Sequence, residues 1–93
     1  MEEQAYQSKK EAGYAETLDF RKIAGEISFW LRQVPITLPG GKVYRVDFMT
    51  FQQVVNTDLY EIHWIEVKGH KTTTGEVKRS VAEAILGITI EVV

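Results

Sequence analysis

At 93 residues the chain has room for one domain and one modest core, and 44% hydrophobic with 26% charged residues is a globular balance rather than a disordered one. The absence of cysteine excludes a disulfide framework and a thiolate metal site and suits a reducing cytoplasm, while a formal net charge of -2 excludes a generic polyanion binder. No apolar run approaches the roughly 20 residues needed to cross a bilayer, so no membrane partner is expected, and the polar, acidic start Met1-Glu2-Glu3-Gln4 is unlike a secretory signal.

Residues 1–6 read as a loose tail to a single domain that takes up residues 1–93. Ser8-Lys9-Lys10-Glu11 has the spacing of a capping box and opens a helix that runs to about Ala24, with Gly25 as its stop. Its inward stripe is Glu11, Tyr14, Ala15, Leu18 and Lys22, flanked by Ala12, Asp19 and Ile23, so Glu11 lies in line with apolar positions. Ile27 to Leu31 reads as a strand, carried past Pro35 towards Leu38 as an edge or bent segment. Pro39-Gly40-Gly41 marks a tight turn, Val43 to Phe51 a second strand, Asn56-Thr57-Asp58 another turn, and Leu59 to Val67 a third strand. Gly69 ends that strand and His70 to Gly75 reads as a polar loop. Glu76 to Leu86 is a second helix with Val77, Val81, Ala84 and Ile85 as its buried stripe, closed by Gly87, and Ile88 to Val93 is a final strand. The fold class is α/β in the broad sense (α+β), in the order α-β-β-β-α-β, and the helical crossover implies a parallel pair inside a mixed four-stranded sheet flanked by helices.

Three charged residues stand where an apolar strand should hold none. Glu66 and Lys68 sit two apart on one strand, and Asp47 lies between Val46 and Phe48 on its neighbour. Centring the hairpin on Asn56-Thr57 sets Asp47 opposite Glu66. Two carboxylates side by side repel each other, and a hard divalent cation relieves that repulsion; a lysine beside them can orient a water or stabilise charge on a phosphate. A structural Asp–Lys–Glu ion-pair cluster, or an edge strand blunted by charge, accounts for the same pattern. From Lys68 to Arg79 there are four bases, Lys68, Lys71, Lys78 and Arg79, against the single acid Glu76. His63 and His70 lack metal-ligand spacing and read as ordinary strand and loop residues, and Tyr14, Trp30, Phe48 and Trp64 belong to the core.

Val46-Asp47-Phe48 followed by Ile65-Glu66-Val67-Lys68-Gly69 resembles the signature of the PD-(D/E)XK nuclease superfamily, whose restriction-endonuclease-like core has the same element order. Ser8-Lys9-Lys10-Glu11-Ala12, Glu66-Val67-Lys68-Gly69-His70-Lys71-Thr72 and Leu86-Gly87-Ile88 further resemble small phage-encoded domains of endonuclease-like or Holliday-junction-resolvase-like character. The proline of the nominal motif is replaced by Val46. The resemblance implies a divalent-metal-dependent endodeoxyribonuclease using Mg²⁺ or Mn²⁺, acting on DNA with branched forms as a candidate substrate, in the host-cell cytoplasm if phage-encoded. It implies Asp47, Glu66 and the carbonyl of Val67 as metal ligands and Lys68 as the catalytic lysine. Glu11 then completes the acidic cluster, a role that competes with its place as the capping partner of Ser8. Gln33 and Lys71 are secondary candidates for phosphate or water contacts. A catalytically silent nucleic-acid-binding or scaffold module on the same fold is the alternative. The short chain, the apolar Ile27-Phe29-Trp30-Leu31 segment and one site per chain together lead to the expectation of a homodimer.

Overall fold

The computed structural model describes residues 8–68 and 72–93; the expected N-terminal tail and the first two residues of the expected loop, His70 and Lys71, lie outside them. Helix α1, Lys9–Ile23, begins where Ser8 takes an extended backbone and its Oγ accepts the N–H of Glu11 at 3.1 Å. That bond satisfies one of the donors that a helix start leaves open. Gly25 follows the last turn with φ +80°, a left-handed conformation free of Cβ strain only in glycine. Strand β1, Phe29–Thr37, runs through Pro35, which an edge strand tolerates because one of its sides makes no ladder bonds. A short 3-10 turn at Pro39–Gly41 leads into β2, Val43–Gln53, and Asn56, with φ 61°, turns the chain into β3, Tyr60–Glu66. Helix α2, Thr73–Leu86, closes at Gly87 in the left-handed conformation and delivers β4, Ile90–Val92.

The sheet order is β1-β2-β3-β4, antiparallel at the first two junctions and parallel at the last. The chain is therefore α+β, a mixed four-stranded sheet with two helices in the expected order, and α2 is the crossover that a parallel pair requires. Among the described residues no helix is long and apolar enough to cross a membrane.

Each helix closes its own cluster of side chains. Ala15 and Leu18 of α1 pack with Ile27, Phe48, Ile65 and Val67, flanked by Tyr14 and Trp30. The Phe48 ring lies 5.5 Å from Tyr14 and 5.6 Å from Trp30, and the indole N–H of Trp30 donates to Asp19 Oδ1 at 3.1 Å. Ala82 of α2 packs with Leu38, Tyr44, Val46 and Ile90, flanked by Trp64 and Val81 among others.

Two expected stripes are corrected. On α1, Lys22 and Ile23 are exposed, because the apolar cluster ends at Leu18 and the last turn projects beyond it. On α2, Ala82 is the buried residue and Val81 is half-buried, while Val77, Ala84 and Ile85 face solvent. Ala82 has no side chain beyond Cβ, so it lets the helix approach Tyr44, Val46 and Ile90 closely. The helix also starts earlier than the loop assignment allowed: Thr72 Oγ1 accepts the N–H of Gly75 at 3.0 Å, which brings Thr73, Thr74 and Gly75 into the first turn.

His63 ties β3 to β4 at the surface. Its Nδ1 lies 2.5 Å from Glu91 Oε2 and its Nε2 2.7 Å from Glu61 Oε1, and these two carboxylates, Glu61 first, raise its pKa above the ordinary 6.5. A raised histidine pKa stabilises the fold fully below the ordinary value and loses that effect as pH rises through the raised one. The melting-temperature advantage of the wild type over His63→Asn should therefore be largest near about pH 5.5 and shrink towards about pH 9. An equal advantage at both ends would contradict the assignment.

Candidate active site

The β2–β3 ladder ends at the pair Phe48↔Ile65, on the register that carries Asp47 opposite Glu66. Past that pair β3 goes on with β4, where Glu66 pairs with Val92, while β2 goes on with β1. The N–H that the ended ladder leaves open on Val67 is taken by a side chain instead: it donates to Asp47 Oδ2 at 2.8 Å. The backbone of Val67 thus meets the Asp47 carboxylate through its N–H.

Gln33 organises the other side of Asp47. It sits in β1 between the pairs Arg32↔Phe48 and Val34↔Val46, level with Asp47, and has φ 52°, a left-handed conformation uncommon for any residue with a Cβ. Its amide nitrogen donates to Asp47 Oδ1 at 3.3 Å and to Glu11 Oε1 at 3.1 Å. One strained strand residue therefore bridges two carboxylates that come from a helix and a strand. The expected phosphate contact of Gln33 would have to displace one of these two bonds.

Glu11 is 4% exposed, and its carboxylate is turned inward to Gln33, 3.9 Å from the Arg32 guanidinium. Only the Ser8 half of the expected capping box is formed, and it uses the backbone N–H of Glu11, not its side chain. Both carboxyls are held above the ordinary range. Burial acts first on each; the Glu66 charge adds to it at Asp47 and the Asp47 charge at Glu11, against the hydrogen bonds and the Arg32 charge that favour ionisation.

Glu66 is half-buried and held from its other side. The Tyr44 hydroxyl donates a short hydrogen bond to Glu66 Oε1, and Arg79 Nε stands 3.8 Å from Oε2. Burial, then the Glu66 carboxylate, push the Tyr44 hydroxyl pKa up, so it remains a donor throughout the physiological range. Lys68 follows two residues on; its backbone N–H donates to Val93 O at 2.8 Å and its side chain is exposed. Lys71 lies outside the described residues.

Three of the expected residues, Glu11, Gln33 and Asp47, thus share one hydrogen-bonded network; Glu66 acts on it through its charge at Asp47, and Lys68 follows two residues later in the chain. Tyr44, Arg79 and Arg32 were not foreseen. The spacing of Tyr44 gave no sign of it, because it reads as one more apolar position in β2; Arg79 was visible only as one base of a basic run.

The donors are carboxylate oxygens with a backbone nearby, the hard set that Mg²⁺ and Mn²⁺ take; burial chiefly raises Asp47 and Glu11, and the smaller part that neighbouring carboxylates add, Glu66 at Asp47 and Asp47 at Glu11, is the kind that a cation relieves. As the side chains stand, no group of three histidine, cysteine or carboxylate residues among those described is gathered closely enough to hold one ion. Glu66, turned to Tyr44 and Arg79, is the member that would have to rotate. No protein-family model, curated protein or solved structure matches this chain.

Proposed function

We propose that this chain is a divalent-metal-dependent endodeoxyribonuclease that hydrolyses DNA phosphodiester bonds. The observation that carries this reading is the pair of carboxylates, buried Glu11 and half-buried Asp47, that the left-handed Gln33 bridges, with Glu66 beside Asp47 on the next strand and the exposed Lys68 two residues after Glu66. Burying charge of one sign costs stability unless something compensates it, and a fold that keeps two such groups at raised pKa has a use for them.

Asp47, Glu66 and the Val67 carbonyl are the residues that would hold Mg²⁺ or Mn²⁺, with Glu11 adding charge behind them. When bound, the cation supplies Lewis acidity towards a phosphodiester oxygen. The remaining work belongs to the chain. Gln33 fixes the spacing of Glu11 and Asp47; the Val67 N–H orients Asp47; Tyr44 and Arg79 hold Glu66 until a cation competes for it. Lys68 directs its ammonium at the attacking water or at the developing charge on the phosphate. Water forms the new P–O bond as the old one breaks, and the leaving oxygen takes up a proton. DNA is the substrate, and since each chain carries one such site, cutting both strands of a duplex or branched form calls for a pair of chains.

A specific observation favours the alternative of a silent module. The Tyr44 hydrogen bond and the nearby Arg79 charge hold Glu66 without any metal, as they would in a fold that no longer used the site. Plasmid nicking decides between the two: the enzyme reading expects nicked product with Mg²⁺ or Mn²⁺ and none with a chelator. An intact plasmid under every divalent metal tried would leave the module.

A further inference from the structure

We propose that the uncovered apolar face of the sheet is where two copies of this chain join about a two-fold axis. The proposal concerns the rows of the sheet that lie beyond the carboxylate network, and it stands whether or not the chain cleaves DNA.

The two antiparallel registers define the face. Phe29, Phe51 and Ile62 form one row across β1, β2 and β3; Leu31, Met49 and Trp64 form the next; Tyr60, opposite Gln53, borders the first. Strand alternation puts these side chains on one side of the sheet. Packing in the α2 cluster reaches Trp64, and Met49 is buried beside it. Outward from there cover ends: Phe29, Leu31, Tyr60 and Ile62 keep between 37% and 47% of their surface exposed. The expected dimer segment is thereby divided. Ile27 and Trp30 belong to the α1 cluster, and only Phe29 and Leu31 face out.

The face is already in order. Phe29 and Phe51 stack with ring centroids 4.4 Å apart and an interplanar angle of 10°, and Tyr60 meets both edge-on, at 5.8 Å and 6.5 Å. Rings that are locked before binding lose little freedom on binding, which is how anchor residues of interfaces behave.

Area and charge name the occupant. With aromatic and aliphatic side chains of about 200 Å² each, the four exposed members offer on the order of 350 Å². Val54, Val55 and Leu59, exposed in the adjoining β2–β3 turn, bring the apolar surface to about 650 Å², close to the ~800 Å² that a standard interface takes from each partner. None of Phe29, Leu31, Met49, Phe51, Tyr60 and Ile62 carries a charge, in a chain of which 26% is charged. These rows offer a basic or acidic partner nothing to pair with, the charge of Asp58 lying only in the adjoining turn. A second copy finds an equally neutral face that is its own complement under a two-fold.

Light scattering or sedimentation of the full chain across the micromolar range tests this. The expected mass is about twice the 10.6 kDa of one chain. Leu31→Glu and Ile62→Lys, each introducing a charge on the face, should raise the dimer dissociation constant by at least about tenfold, while Glu16→Lys on the exposed side of α1 leaves it unchanged. Circular dichroism checks each variant for the wild-type fold, and Tyr60→Lys serves if either charged variant fails to fold. A wild-type monomer at every concentration overturns the proposal, including one that binds vesicles or another protein through this face. So does a dimer that survives all the folded face variants.

Discussion

Lys68→Ala is expected to lower DNA cleavage by about 10²–10⁴-fold, the range for removing a positioned proton-transfer or charge-stabilising group. The side chain is exposed at the end of β3, and among the described residues its ammonium pairs with nothing, so truncation removes no packing and no ion pair that holds the fold. The backbone N–H that joins it to Val93 is untouched by the substitution. Melting temperature and Mn²⁺ affinity should therefore stay near those of the wild type while the nicking rate collapses. A variant that nicks at the wild-type rate removes Lys68 from the mechanism.

Glu11→Gln separates the two roles that the first helix offers this residue. The helix cap is made by Ser8 Oγ and the backbone N–H of Glu11, so glutamine leaves it whole, and its amide oxygen can still accept from Gln33. What it removes is the charge. The folded-state pKa of Glu11 is raised, chiefly by burial and then by Asp47, so ionising the residue opposes folding at any pH above the ordinary carboxylate range. At neutral pH the variant should therefore lie within about 1 kcal/mol of the wild type in stability, since the cap itself is left intact. Cleavage should fall by orders of magnitude, about 10²-fold or more, because the cluster has lost a negative charge that it needs for a cation. Melting temperature and nicking rate measured on one preparation read both effects. Unchanged cleavage would return Glu11 to a purely structural role.

What was legible in the sequence was mostly local. Turn residues gave the hairpin its centre, and strand periodicity then carried Asp47 opposite Glu66, which the ladder register bears out. Ser8, Gly25 and Gly87 marked helix ends because each acts on its own backbone. The site network was less legible. Gln33 bridges Glu11 and Asp47 only because its backbone turns left-handed within a strand, a cost that nothing in the surrounding Arg32-Gln33-Val34 announces. The Tyr44 contact to Glu66 joins β2 to β3 through a hydroxyl that reads as apolar in the pattern, and the Arg79 contact depends on where α2 settles across the sheet, beside Ala82, whose small size carries almost no weight in a hydrophobic pattern. The apolar stripe read from α2 failed for the same reason: its larger residues were assigned inward, and the close approach selected the smallest.

Whether Asp47 and Glu66, with Glu11 behind them, take a divalent cation as proposed is tested most directly by calorimetric titration with Mn²⁺. The wild type should bind one ion per chain and Asp47→Ala should lose that binding. The loss would reflect the carboxylate alone, provided that circular dichroism shows the variant folded despite the unpaired Val67 N–H. Identical Mn²⁺ isotherms for the wild type and the folded Asp47→Ala variant would contradict the account.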